Sequence, residues 1–273
     1  MKQISSRDNP DFRRLLRAAA GKRAPGERSK SAADVALEGV HLCHSWLEHV
    51  GQPELAFFDA ARQQHAELSA LFEAIEPSRI RICSPALIQS ASQVVHGQGV
   101  MFLAEAPMPQ PPARLTQNCL WLDRIQDPGN MGTMLRTAAA AGIRHIYAAR
   151  GSVAAWSPKV LRSAQGAHFL LKIHEGMDLL ALLDRLDIPL VVTSLDESTD
   201  LYKTRLPTQA AWVFGNEGQG VAAALQDAAS FRIRIPHDAG VESLNVAVAA
   251  GVCLFEQRRQ LSKRCGAPDR SGS

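Results

Sequence analysis

The sequence predicts an α/β protein in two parts, a C-terminal domain built on a parallel sheet and a smaller α/β domain before it. Three observations predict this. From residue 118 on, short apolar runs of strand length alternate with segments of helical apolar spacing, the pattern of a parallel sheet covered by helices on both faces. Between the two parts, the stretch "APMPQPPARLTQ" (106–117) holds four prolines, which no strand or helix interior accepts, and reads as a semi-rigid linker. The chain has 273 residues, 46% hydrophobic and 21% charged, enough for one large domain or two smaller ones with a sizeable core.

Taken in order, the N-terminal domain (1–105) opens on "ISSRDNPDFRRLLR". "ADVALEGVHLCHSWLEHV" (33–50) has helical apolar spacing; "ELAFFDA" (54–60) and "RIRICS" (79–84) read as short strands. "PALIQSASQ" (85–93) is a short helix opened by proline, and "QGVMFLAE" (98–105) a last strand. The C-terminal domain (118–262) is expected to hold strands at 119–125, 145–149, 169–173, 189–195, 211–215 and 231–236. Helices are expected between them at 130–142, 158–166, 178–186, 221–229 and 243–261, and residues 263–273 read as a frayed tail. There is no internal repeat.

Charge is unevenly placed. Residues 1–30 carry nine Lys or Arg against three Asp or Glu, whereas 31–120 carry four against nine. A basic arm on a near-neutral body suggests a polyanionic partner, most simply nucleic acid, although a solvated terminus fits the charge as well. Five scattered cysteines (Cys43, Cys83, Cys119, Cys253, Cys265) without a CxxC pair argue for a reducing compartment and against disulfides or zinc. The three histidines of 41–49 (His41, His44, His49) sit beside Cys43 with Leu and Trp interleaved, so no metal is expected. The start lacks an apolar signal core, and no apolar run approaches the roughly 18 residues of a membrane span. The expectation is a cytoplasmic protein without membrane contact.

Chemistry gathers at three strand exits, where open α/β sheets hold their ligands. In "LDRIQDPGNMGTMLRTAAAAGI" (122–143), Pro128-Gly129 is read as the turn, Asn130 as a helix cap and Gly132 as a point of close backbone approach. Arg136 follows about 1.7 turns beyond Asn130, on a different face of the helix. "FGNEGQGV" (214–221) packs three glycines around Glu217, so the loop either turns very tightly or holds something very close. In "IPHDAGVESLNVAVAAGVCLFEQRR" (235–259), Ser243 or Asn245 opens a long helix. Neither GxGxxG nor GxxxxGK[ST] is present, which argues against a dinucleotide enzyme or a P-loop hydrolase. Each loop alone has an ordinary reading as turn, cap and surface charge.

Together the three loops resemble the three motifs of the SpoU (TrmH-like) family of RNA ribose 2′-O-methyltransferases, in the SPOUT superfamily. The matching residues are Asn130, Gly132 and Arg136; Gly215, Glu217 and Gly220; and Ile235, Pro236, Ser243, Leu244 and Asn245. "SPKVLRSAQGAHF" is similar to the family's middle helix. "ISSRDNP…LEGVHLCHSWL" and "QGVMFLAE" are similar to its N-terminal RNA-substrate domain, itself like a small ribosomal protein. The stretch 18–33 is longer and more basic than the family pattern.

The resemblance implies a deep trefoil knot formed by the loops at 193–195, 214–221 and 235–245, clasping a bent S-adenosylmethionine through largely main-chain contacts. The cofactor residues it implies are Ser194, Leu195, Gly215, Asn216, Gly220, Ile235, Leu244 and Asn245, with S-adenosylhomocysteine as the product. The catalytic set it implies is Arg136, Asn130, Glu217, Ser243 and Asn245. Arginine keeps its proton up to a pH above about 12. Its role is therefore read as polarising the ribose hydroxyl, stabilising the developing alkoxide and gripping the adjacent phosphate, with literal general-base action as the minority alternative. The resemblance further implies a homodimer and an RNA substrate, ribosomal before transfer RNA. A non-catalytic RNA-binding assembly factor stays open as an alternative; methylation of a base carbon is disfavoured because no loop carries a cysteine nucleophile.

Overall fold

The computed structural model describes residues 1–22, 33–62, 65–95, 97–195 and 197–264. The basic stretch at 23–32 and the tail at 265–273, with Cys265, lie outside them. The chain divides into two compact units. One comprises Met1–Met108 with Trp156–Leu170; the other comprises Pro109–Ala155 and the chain from Leu171 on. The segment 156–170, read from sequence as part of the C-terminal domain, thus packs with the first unit.

In the first unit the elements run β1 (Lys2–Ile4), α1 (Pro10–Ala19), β2 (Asp34–Glu38), α2 (Val40–His49), β3 (Leu55–Asp59), α3 (Ala66–Glu73), β4 (Ile80–Cys83), α4 (Pro85–Ala91) and β5 (Val100–Glu105). The sheet order is β1-β4-β3-β5-β2. β1, β4 and β3 are parallel, whereas β5 runs antiparallel to both β3 and β2. Asn9 caps α1 by accepting the N–H groups of Asp11 and Phe12, and Pro10 fills the first helical position, where no N–H is needed. Phe12 and Leu15 then bury in a core with Phe57, Leu87 and Leu103. The single helix expected over 33–50 is a correction: Asp34–Glu38 is a strand with its three central residues buried. Gly39, at φ 98°, makes the break before α2.

The second unit contains β6 (Cys119–Asp123), α5 (Pro128–Ala141) and β7 (His145–Ala149). Then α6 (Pro158–Ala164) leaves for the first unit, and β8 (Lys172–Met177), β9 (Leu190–Thr193), β10 (Thr199–Asp200), β11 (Ala211–Gly215), α7 (Ala223–Asp227), β12 (Phe231–Arg234) and α8 (Val246–Arg264) complete it. Its sheet, ordered β10-β12-β9-β11-β6-β7-β8, is parallel at every pairing. β11 lies between β6 and β9 and is buried along its whole length, as a central parallel strand requires. The carboxyl ends of β6, β9, β11 and β12 therefore open toward one region.

Two expectations fail here for identifiable reasons. Phe169 and Leu170 belong to a 3-10 turn, and the strand starts only at Lys172. Residues 178–186 form no α-helix: successive i→i+3 bonds end in a 3-10 turn at Leu183–Arg185. The backbone of Leu115 takes the carbonyl of Arg185 and the N–H of Asp187, groups that a continuing helix would need.

One row of polar side chains on α8, from buried Gln257 to exposed Arg264, is turned to the backbone of 204–207. The indole N–H of Trp212 donates to Gln257 Oε1 at 2.9 Å, and Gln257 Nε2 donates to the carbonyl of Pro207 at 3.0 Å. Gln260 accepts the Leu206 N–H and donates to the Thr204 carbonyl, and Arg264 donates to the Leu206 carbonyl. The backbone of 204–207 is thereby strapped to the last helix. Among the described residues no helix is long and apolar enough to cross a membrane.

Candidate active site

A cavity of about 500 Å³ opens at the carboxyl ends of these strands, within the usual range for a small-molecule site. The exits of β9, β11 and β12 and the start of α8 wall it. Ser194, Leu195, Gly215, Asn216, Gly220, Ile235, Leu244 and Asn245 all line it, as do Glu217 and Ser243. Thr193, Gln226, Arg234 and His237 line it too, and the sequence reading did not single them out.

The loop after β11 is a tight hairpin. Asn216 and Gly220 exchange backbone hydrogen bonds at 3.0 and 2.9 Å, and Gly220 takes φ 68°. A Cβ on Gly215 would meet the carbonyl carbon of Gly220 at 2.1 Å, so only glycine fits. The glycines of "FGNEGQGV" are there because the chain doubles back on itself beside the cavity.

Glu217 reaches from this hairpin to the start of α5. Its carboxylate accepts the backbone N–H groups of Gln126 (3.2 Å) and Asp127 (3.1 Å) and the Nδ2 of Asn130 (3.1 Å). Burial pushes the Glu217 pKa up, but the hydrogen bonds from Asn130 and from the backbone N–H groups outweigh it, and the carboxyl lies below its ordinary value. Asn130 Oδ1 in turn accepts Asn245 Nδ2 at 2.9 Å. Asn245 Oδ1 accepts the N–H groups of Ala247 and Val248, so Asn245 is the N-cap of α8. Three loops are thus joined by one directional chain of polar groups.

The capping of α5 corrects the sequence reading. Asp127, not Asn130, is the N-cap: its Oδ1 accepts the Asn130 N–H at 2.7 Å, and Pro128 and Gly129 are already helical. Asn130 sits at the third helical position, and its amide is released for the Glu217–Asn245 chain. Arg136 stands apart. It is exposed on α5, does not line the cavity, and makes no hydrogen bond or ion pair among the described residues. Ser243 lines the cavity beside Leu244.

Sequence reasoning also missed the β6 exit. Asp123 is 4% exposed, and its carboxylate accepts the Ala222 N–H at 2.8 Å and the Nε of Arg124 at 3.0 Å. Arg124 itself lies in the left-handed region at φ 59°. Only its place at a strand end marks it in the sequence.

Residues 117–255 match the model of the SpoU rRNA Methylase family. The chain is 32% identical to an uncharacterized tRNA/rRNA methyltransferase of Synechocystis sp., over 94% of this chain and 93% of that one. It is 29% identical to the 23S rRNA (guanosine(2553)-2′-O)-methyltransferase RlmP of Bacillus subtilis, over 94% and 100% of the two chains. A crystal structure of an AdoMet-bound rRNA methyltransferase from Sinorhizobium meliloti shares the fold, with TM-score 0.79 and 24% identity over 95% and 98% of the two chains.

Proposed function

The chain belongs to the SpoU rRNA methylase family, and on that premise we propose that it transfers a methyl group from S-adenosylmethionine to a ribose 2′-hydroxyl of ribosomal RNA. One observation of this chain carries the reading: the Glu217–Asn130–Asn245 chain joins the three family loops at the wall of a cavity sized for a nucleoside cofactor.

The cavity fits the cofactor chemically. Its walls alternate apolar side chains (Ile233, Ile235, Leu244, Val246) with the glycine-rich backbone of 215–220, which can approach a ligand closely. When bound, S-adenosylmethionine supplies a sulfonium methyl open to in-line attack and leaves as S-adenosylhomocysteine. Attack by oxygen on that methyl cancels opposite charges, so walls that exclude water and fix orientation favour it. Asn130, Ser243 and Asn245 orient the ribose and its phosphate by hydrogen bonds, and Glu217 holds Asn130 in the donating orientation. Arg136, exposed and unpaired, polarises the 2′-hydroxyl, stabilises the developing alkoxide and grips the adjacent phosphate.

The remaining assignments belong to the same proposal. Residues 118–262, apart from the 156–170 segment that packs with the first unit, form the methyltransferase domain, 106–117 the linker, and 1–105 an RNA-substrate domain like a small ribosomal protein. The loops at 193–195, 214–221 and 235–245 form a trefoil knot; the crowding of Gly215 against Gly220 and the strapping of 204–207 by α8 support it. The enzyme acts as a homodimer in the cytoplasm. Val248 and Phe255, 54% and 47% exposed and two turns apart on α8, support a second copy on that face.

The test is methyl transfer from labelled S-adenosylmethionine to ribosomal RNA, followed by mapping of methylated riboses in cells with and without the protein. Loss of one 2′-O-methyl mark in ribosomal RNA is expected. A protein that binds the RNA without transferring methyl would be an assembly factor; a mark lost from transfer RNA instead would move the substrate.

A further inference from the structure

We propose that Arg124 is a positioning residue for the cofactor, latching the tip of the 216–220 hairpin to the exit of β6. The proposal rests on the reading that the cavity takes S-adenosylmethionine.

All five residues of the hairpin line the cavity. Its position therefore sets the shape of that wall. Glycine-rich backbone does not hold a shape unaided. Among the described residues, the side-chain bonds that tie this hairpin to another segment all end on 124–130. Glu217 takes Gln126, Asp127 and Asn130; Asn216 Nδ2 donates to the Arg124 carbonyl at 2.9 Å; and Gln219 Oε1 accepts Arg124 Nη1 at 2.9 Å. Glu217 belongs to the family pattern and to the chain through Asn130. Arg124 holds the other side alone, once with its backbone and once with its side chain.

The guanidinium is aimed rather than loose. Asp123, buried beneath it, accepts its Nε at 3.0 Å and its Nη2 at 3.3 Å, which directs the remaining Nη1 to Gln219. The same carboxylate accepts the Ala222 N–H, so Asp123 pins the chain just past the hairpin as well. A planar fork with several fixed donors can bridge two acceptors in this way; an ammonium cannot hold the same geometry. The backbone adds a second indication. Arg124 occupies the left-handed region, which glycine would enter without steric cost, and a strained conformer persists only where its surroundings over-determine it. The turn asks for glycine, and the side chain at this position serves the hairpin.

The backbone preference supplies a variant. Arg124→Gly keeps the turn and the carbonyl for Asn216, and removes the latch together with the guanidinium that pairs with Asp123. Calorimetry of S-adenosylmethionine binding to the full chain is expected to show affinity weakened about tenfold, as for one lost charge-assisted hydrogen bond. Amide exchange at 216–221 should quicken, and the melting temperature should fall, because Asp123 loses its charge partner. In turnover, the loss should appear in KM for the cofactor rather than in kcat. Gln219→Ala, which leaves the Asp123–Arg124 pair in place, should weaken binding similarly, and the double variant should be no worse than Arg124→Gly alone. Arg124→Gly binding as tightly as wild type, or fully additive losses in the double variant, would overturn the latch. A wild-type protein that binds no S-adenosylmethionine would overturn the reading of the cavity itself, and the latch with it, so the two failures are told apart.

Discussion

Asn130 and Asn245, 115 residues apart in the chain, are joined side chain to side chain, with Asn245 Nδ2 donating to Asn130 Oδ1 at 2.9 Å. Neither amide has a choice of orientation. Asn245 Oδ1 is occupied by two backbone N–H donors, and Asn130 Nδ2 faces a carboxylate that only accepts. The polarity of the whole chain is set at both ends by groups that cannot reverse.

Asn130→Asp tests this polarity. It places a carboxylate against Glu217, and like charges in contact raise the pKa of one of them. Near pH 8 methyl transfer should fall at least tenfold. As pH drops through the raised pKa, a protonated carboxyl becomes a donor again and activity should recover in part, whereas Asn130→Ala should not recover. A pH–rate profile checks it.

Glu217 makes stability depend on pH in the opposite sense. Its pKa in the folded protein lies below the ordinary value, so its contribution is present above the unfolded pKa and is lost as pH falls through the folded one. Melting temperatures should therefore decline below about pH 4.5, near the ordinary carboxyl range. Glu217→Gln should show a shallower decline in that window. An identical acid limb in both proteins would mean that the hydrogen bonds at Glu217 contribute nothing.

Arg136→Ala should reduce methyl transfer at least a hundredfold, the scale of losing a group that stabilises the transition state. S-adenosylmethionine affinity, measured by calorimetry, should stay within about twofold because Arg136 does not line the cavity. Arg136→Lys should rescue poorly, since lysine lacks the planar fork.

Phe255→Glu on the exposed stripe of α8 should shift sedimentation at micromolar concentration from dimer to monomer. A wild-type protein that is monomeric and fully active would end the dimer proposal.

The basic N-terminal region cannot be tested by deleting residues 1–30, because β1 and α1 belong to the first unit's sheet and core. Charge substitution is the usable experiment. Arg14 is excluded from it, being paired with Asp34 and Glu54. Replacing the exposed Arg7, Arg13 and Lys22 by Gln should weaken RNA binding and flatten its salt dependence, by roughly 0.7 in log–log slope per lost phosphate contact. An unchanged slope would make this surface a solubility feature.

How much of this was legible in the sequence follows from the range of the interactions. The strand exits that wall the cavity were legible, because strands announce themselves by apolar runs, whereas the individual lining residues came from the resemblance to the family. The strand at 34–38 was not, since "ADVALE" joins "VHLCHSWLEHV" without a break in apolar spacing, and only the positive φ of Gly39 separates them. Helix 178–186 failed for a tertiary reason, the insertion of Leu115 into its backbone. Asn130 and Asp127 compete for one cap within four residues. Asp127 takes it locally, with Pro128 at the first helical position, and Glu217, 87 residues further on, takes up the Asn130 amide left over. Arg124 was invisible for the same reason: its partner Gln219 lies 95 residues away.

The strap over 204–207 bears on how the protein is born. Trp212, in the central strand, has its indole N–H satisfied by Gln257, and the Leu206 backbone is completed by Gln260 and Arg264. A nascent chain that has released β6 through β12 still lacks these partners. Its sheet therefore waits, with a buried donor unanswered, until the last turns of α8 leave the ribosome. A chain that stops before Gln257 lacks the closing polar groups of its own centre.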